Sequence, residues 1–334
     1  MKGEPHSGDR SPPAAHSPPG RGITSRPWWP WAKRLGKILF FAVVAYLLIT
    51  QARKVEWEEV LATMQRRPIG ELLRAAAFCA ASFALYSCFD LLGRHYTGHR
   101  LRAPQVISVN FISYAFNLNL GSLVGGVAFR YRLYSRLGLD TATITQVMGV
   151  SMLTNWLGYM LLAGIVFWWW PIPLPPDWKI DSRALQGIGI VLAAVAMAYL
   201  LLCAVARRRT WTVRGHELTL PSLRLAVLQL LMSSTNWLLM AGAAFILLEQ
   251  KIPFPTVVGV LLLAAIAGVI THVPAGLGVL EAVFVALLSH ELPKSELLAA
   301  LLMYRAMYYL APLMLATLVY FVVEARAKKA APPN

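Results

Sequence analysis

Long apolar runs separated by short polar stretches set the pattern of this chain. The runs fall at about 35–52, 71–92, 141–170, 185–206, 222–248 and 296–323. Each approaches or exceeds the roughly 20 residues that an α-helix needs to cross a bilayer. They are rich in Leu, Ala, Val and Gly, and they lack the alternation that marks a barrel strand. The pattern therefore predicts transmembrane helices. Two further regions are apolar but interrupted. Residues 105–128 read "QVISVNFISYAFNLNLGSLVGGVA", and 255–290 contain "THVPAGLGVLEAVF" at 271–284. A helix broken at membrane depth exposes unpaired N–H and C=O groups. Such a break survives only inside protein or beside a cavity, because lipid offers no partner.

Composition agrees with this pattern. The chain is 57% hydrophobic and 14% charged, where soluble domains carry about a quarter charged residues. The predicted class is an all-α, polytopic integral membrane protein. It has about six full transmembrane helices plus two interrupted or re-entrant segments, or eight spans. Residues 1–30, rich in Pro, Ser and Gly, are expected to form a disordered cytoplasmic tail. They carry no apolar core of a cleaved signal peptide. The transmembrane domain is expected over 31–325, with a basic cytoplasmic tail at 326–334.

The net charge of +15 changes the picture less than its size suggests. The cations lie between apolar runs and at both ends, as loops beside anionic lipid require. Nucleic acid is therefore excluded as a partner. Charge bias also orients the chain. The N-terminus, the loops at 93–104, 129–138 and 207–224, and the C-terminal tail are all basic, so all are expected inside. They can share one side only if 105–128 dips in and returns as a hairpin, with its break near Asn117–Gly121. Region 255–290 then starts and ends outside, as a hairpin or as two short spans. The basic loop at 51–70 lands outside and runs against the rule. Two interrupted segments that enter from opposite faces suggest an inverted repeat with its site near the membrane centre. "MLTNWLGYMLLAG" at 152–164 and "SSTNWLLMAGAAF" at 233–245 share Thr-Asn-Trp, a faint echo of repetition.

The candidate chemistry lies at the breaks. Glu281 follows Pro274, Gly276 and Gly278. A charge at bilayer depth costs roughly 2.5–3.5 kcal/mol even on lenient scales, so it needs a partner. Arg305, in the last apolar run, is the expected one. Arg130 follows Gly121, Gly125 and Gly126, and its planar fork suits phosphate oxygens. It reads equally as a positive-inside signal. Asp90 pairs with Arg130 or Arg94, or marks the interface. Asn117 and Asn119 are placed to bond freed backbone, and His272 to cap the broken helix. Asn155 and Asn236 read as interhelical hydrogen bonds. Tyr304, Tyr308 and Tyr309 flank Arg305 as part of a site or of an aromatic belt. Cys79, Cys88 and Cys203 read as packing residues. The seven histidines form no ligand spacing, so neither metal nor cofactor is expected. There is no nucleophile–base pair, phosphate loop or nucleotide motif, and an enzyme is not expected.

"NLNLGSLVGGVAFRYRLYSRLGLD", "VPAGLGVLEAVFVALLS" and "ALLMYRAMYYLAPLMLA" occur here in that order. Together they resemble the flippase-like transmembrane region of lysylphosphatidylglycerol synthases (multiple peptide resistance factor) and its stand-alone bacterial relatives of the YbhN type. The likeness covers about 35–325. It implies a multi-pass protein of the bacterial inner membrane, with cytoplasmic termini, that binds and flips a phospholipid. In the two-domain relatives that lipid is an aminoacylated phosphatidylglycerol. By motif position it implies a substrate site of Arg130, Glu281 and Arg305, to which the residue reading adds Asp90, Asn119 and Tyr304. Two departures stand out. Many relatives carry an acid shortly before the hairpin arginine, where this chain reads "GGVAFR". The chain also ends at Asn334 without a transferase domain, so it is not expected to make lysyl lipid itself. A non-catalytic subunit or scaffold for a lipid-modifying enzyme is the alternative, and a membrane-embedded lipid-linked transferase is a weaker one. A lipid-modifying enzyme partner and self-association both stay open.

Overall fold

A computed structural model describes residues 46, 58, 62, 65, 67–175, 181–206, 210–213, 216–271, 276 and 278–330, with backbone alone at 210–213, 216–219 and 325–330. The chain divides into two units, Met1–Ile49 and Thr50–Asn334, and everything below concerns the second. Apart from the helical Tyr46, the expected span at 35–52 lies outside the described residues. So do His272 and Pro274.

The described chain begins with α1 (Ile69–Ser87) and α2 (Phe89–Thr97), which join at Cys88 into one 29-residue span. A hairpin follows. Its descending limb is α3 (Ala103–Leu120), and it returns through a π-helical segment (Ser122–Ala128) and α4 (Phe129–Arg136). Next come α5 (Thr141–Trp169), α6 (Ser182–Val205) and α7 (Leu223–Leu247). Asp140, Asp181 and Ser222 cap their first turns, accepting from the amides of Thr143, Ala184 and Leu225. These are the residue types whose short side-chain oxygens reach the orphan N–H groups of a helix start. A second broken segment follows, α8 (Phe254–Thr271) and α9 (Val279–Leu288). The last span is α10 (Lys294–Arg305), a π-helical turn (Ala306–Leu310) and α11 (Ala311–Ala330). Among the described residues six helices are long and apolar enough to cross a membrane. The fold is all-helical and polytopic. Among the described residues it also contains a small antiparallel hairpin between α6 and α7, β1 (Thr210–Val213) with β2 (His216–Thr219).

Contacts at the helix termini define two ends of the bundle. At the first, Arg67 pairs with Glu249 at 3.3 Å, Lys251 with Glu296 at 2.7 Å, and the Trp170 indole donates to Thr256 at 2.9 Å. At the second, Arg132 and Arg136 of α4 both reach Glu324 of α11, and Gly93 of α2 lies against Val147 of α5. The first broken segment leaves the second end and returns to it. Gly121 makes the reversal with φ +83°, a conformation that side chains with a Cβ rarely adopt. The limbs then close until a Cβ on Gly125 would sit 2.2 Å from the Phe116 and Asn117 backbone. The hairpin reaches Arg136, further than the 105–128 expected. The second broken segment leaves the first end and returns to it, with α9 packed on α8. At 1.5 Å per residue α8 is about 27 Å long and α9 about 15 Å, so this is a hairpin of unequal limbs.

The element order is therefore helix, hairpin, helix, then α6, then helix, hairpin, helix in the opposite sense. The odd crossing of α6 produces the inversion. The Thr-Asn-Trp echo does not mark this repeat, because its copies lie on the closing helix of one unit and the opening helix of the other. They instead meet face to face. Ser233 Oγ donates to the Asn155 carbonyl at 3.0 Å, Gln229 donates to Thr154 at 2.9 Å, and a Cβ on Gly158 would lie 2.2 Å from Ser233 Oγ.

Candidate functional site

Arg305 ends α10, at the point where the backbone slips into the π-helical turn. Its side chain is 7% exposed and that of Glu281 is 15% exposed. The guanidinium donates through Nε to Glu281 Oε1, and through Nη2 to Glu281 Oε2 at 2.9 Å and to the Gly276 carbonyl at 2.9 Å. One side chain of the last span thus ties the break of the second hairpin to the start of α9. Glu281 lies in the first turn of α9, where the helix dipole also favours a carboxylate. Gly276 and Gly278 take φ of +55° and +75°, which is how the chain turns into α9. The Tyr309 ring lies 5.5 Å from the Arg305 guanidinium carbon.

The first hairpin reaches the same turn from the other side. Asn119, at the tip of α3, donates to the Ala115 carbonyl at 2.8 Å and to the Tyr309 carbonyl at 3.1 Å. Asn119 was expected to serve backbone freed at the first break, and it bonds its own helix and the last span instead. The two tips therefore meet about one helical turn apart, across a π-helical distortion of the kind that recurs at functional sites. Tyr304 and Tyr308 are 1% and 0% exposed, which fits a packed interior and not an aromatic belt. Their rings stack 5.3 Å apart. Tyr308 is bonded to Ser82 at 2.7 Å and to Tyr114 at 2.9 Å, and Ser82 donates to Asn236 at 2.8 Å. Among the described residues the buried Tyr304 hydroxyl has no hydrogen-bond partner.

Arg130 and Asp90 come together, but elsewhere. Asp90 is 0% exposed and Arg130 3%. Arg130 donates to both Asp90 oxygens at 3.1 and 3.2 Å and also to Asn110. Tyr134 and Ser151 donate to the same carboxylate at 2.8 and 2.6 Å. Asn110 in turn donates to the Tyr86 carbonyl at 2.7 Å. Asn110 precedes Asn119 by nine positions on α3, about 13 Å of helix. The expectation that Arg130 would share a cavity with Glu281 and Arg305 is therefore not met. A buried carboxylate needed a cation, and Arg130 supplies it. Gly121, Gly125 and Gly126 shape the hairpin that carries Arg130 to Asp90. Asn110, Tyr134 and Ser151 were not foreseen. A stripe of Asn110, Ser113 and Asn117 in an apolar helix was the available signal for Asn110, and nothing flagged Ser151. Among the described residues no group of His, Cys, Asp or Glu could hold a metal ion.

The model of the family "Lysylphosphatidylglycerol synthase TM region" matches residues 35–316. The chain belongs to this family. The matched region contains both hairpins, the Glu281–Arg305 pair and the π-helical turn, and ends inside α11. One relative is the inner membrane protein YbhN of Escherichia coli, 48% identical over 306 residues, which cover 91% of this chain and 96% of that one. An uncharacterized protein of Synechocystis is 31% identical over 260 residues, 77% of this chain and 80% of its own. A phosphatidylglycerol lysyltransferase of Staphylococcus haemolyticus is 26% identical over 294 residues, 84% of this chain but 32% of that enzyme. This member of the lysylphosphatidylglycerol synthase transmembrane family is thus a multi-pass membrane protein.

Proposed function

We propose that this protein binds a phospholipid headgroup at Glu281 and Arg305 and moves it across the bacterial inner membrane without chemical conversion. The observation that carries this reading is the position of that ion pair. It stays partly exposed where two opposed hairpin tips converge on a distorted helix. Intramembrane charges at broken helices are sites by default, and opposed hairpins let access alternate about a fixed point. The Asp90–Arg130 cluster serves as a contrast, since it is sealed and fully bonded and so reads as a pin. The second end carries Arg94, Arg100, Arg102, Arg132, Arg136 and Arg224, which supports a cytoplasmic location for that end. The match to a lysyltransferase over about a third of its length supports a transmembrane role separate from synthesis.

The test is headgroup translocation in reconstituted vesicles with a panel of phospholipids. Glu281→Gln keeps the shape and removes the charge, and Arg305→Lys keeps the charge and removes the fork. Arg305→Lys is expected to accumulate at near-normal levels and Glu281→Gln, which leaves Arg305 without its counter-ion, at a reduced level, while translocation per folded molecule falls by about tenfold or more in both, since a bidentate charged contact contributes well over 1.4 kcal/mol. A folded, fully active Glu281→Gln protein would exclude the site. If wild-type protein moves none of the lipids, the scaffold reading takes its place.

A further inference from the structure

We infer that Asn119, at the tip of the first hairpin, is the residue that positions Arg305 on Glu281, and that it does so by holding the register of the π-helical turn that follows Arg305. That turn takes up one residue more than an α-helix would. The Ala311 amide donates to the Ala306 carbonyl, five positions back, where an α-helix bonds four back. An α-helix also advances about 100° per residue. With α11 packed against α3, closing the turn in the ordinary register would rotate α10 by that angle. Each residue of α10 would then take the place now held by the one before it. Ala306 would stand where Arg305 now meets Glu281, and the pair would be lost.

Apolar packing at the core leucines of α10 does not choose between the two registers. Leu297 and Leu301 are buried, and the shift would put Leu298 and Leu302 in their places, leucine for leucine. Pro312 withholds the amide that would bond the Tyr308 carbonyl, which loosens the ladder without setting its register. Hydrogen bonds are directional and do choose. Asn119 is 3% exposed. It donates to the Tyr309 carbonyl, inside the turn, at 3.1 Å, and its bond to the Ala115 carbonyl at 2.8 Å holds the amide in that direction. Tyr114, on the same helix, meets the Tyr308 hydroxyl at 2.9 Å. Helix α3 thus grips two consecutive residues of the turn, and it is Asn119 that grips the backbone. Through this contact a displacement of the first hairpin reaches the ion pair of the second.

The experiment asks whether the pair exists, through a double-mutant cycle of Glu281→Gln and Arg305→Gln read as unfolding temperature in detergent. The full chain is used in three backgrounds. No lipid transport is measured, so the outcome is separate from that of the translocation assay. In the native background the double variant is expected to lose less than the sum of the two single losses, by about 2 °C or more. In Asn119→Ala that coupling is expected to vanish. Deleting Met307 as well is expected to restore it, because removing one residue lets the turn close as an α-helix while α10 and α11 keep their present phases. A residue that merely stabilised the fold would lower every unfolding temperature and leave the coupling intact. Coupling that persists in Asn119→Ala, that the deletion does not restore, or that is absent from the native background would overturn the inference. If Asn119→Ala alone does not accumulate, Asn119→Ala with Met307 deleted should still do so and show the coupling, and its failure would overturn the inference equally.

Discussion

Single residues decide whether the first hairpin can close. Gly125 faces the Phe116 and Asn117 backbone so closely that an added Cβ would lie 2.2 Å away. Backbone cannot swing aside as a side chain can. Gly125→Ala is therefore expected to destabilise the protein by about 3 kcal/mol or more and to lower its unfolding temperature in detergent. A Cβ added to Gly149 on α5 would meet nothing within 4 Å, so Gly149→Ala should leave that temperature unchanged or raise it slightly, by up to about 1 kcal/mol of helix propensity. Equal behaviour of the two variants in a thermal melt would refute the close-approach argument. The sequence flagged Gly125 by its place in a glycine cluster. It could not show which glycine faces the other limb, because that depends on where Gly121 reverses the chain.

At the scale of elements, Asp90 joins α2 to α4 through Arg130 and Tyr134, to α5 through Ser151, and to α3 through Arg130 and Asn110. Removing its charge leaves Arg130 buried without a counter-ion. Asp90→Asn is expected to cost about 3–5 kcal/mol and to be seen as poor accumulation and a low unfolding temperature. Replacing both partners by apolar residues of similar size, Asp90→Leu with Arg130→Met, should recover part of the loss. Loss of translocation in a stably folded Asp90→Asn protein would instead make the cluster part of the site. The hairpin itself was legible from charge parity, but its partner helix was not. The small β-hairpin had a signal that the loop's polarity hid: Thr-Trp-Thr-Val and His-Glu-Leu-Thr flank Arg214-Gly215, a glycine-containing pair of the length that hairpin sequences favour. The π-helical turns had none, since a slip of one residue in a helix answers local packing.

Across the whole molecule, the two hairpins enter from opposite ends, and sidedness tests that directly. In a protein freed of its three native cysteines, Arg100→Cys and Ser135→Cys should react with an impermeant thiol reagent from one side only. Arg183→Cys and Ser295→Cys should react from the other side only. These positions are exposed and sit at the two ends of the bundle. Opposite sidedness for Arg100→Cys and Ser135→Cys would mean that the first segment crosses the membrane and would remove the inverted arrangement. The cationic side is expected to be the cytoplasmic one.

Hydrophobic patterning and charge placement were enough to determine the all-helical polytopic class, the boundaries of the expected spans that lie in the described residues to within a few residues, both breaks, and the need for Glu281 to find Arg305. Each follows from one-dimensional physics: the length of chain that lipid can cover, the side on which cations stay, and the cost of leaving one charge unpaired. Which cation served which acid was a tertiary decision. Arg130 and Arg305 stand in similar glycine-rich or aromatic surroundings in the sequence, yet one closes a sealed cluster and the other stays partly open. The difference lies in how many donors converge on each carboxylate once the helices pack. Four hydrogen bonds from three side chains saturate Asp90, while Glu281 is held by one guanidinium at the meeting point of two hairpin tips.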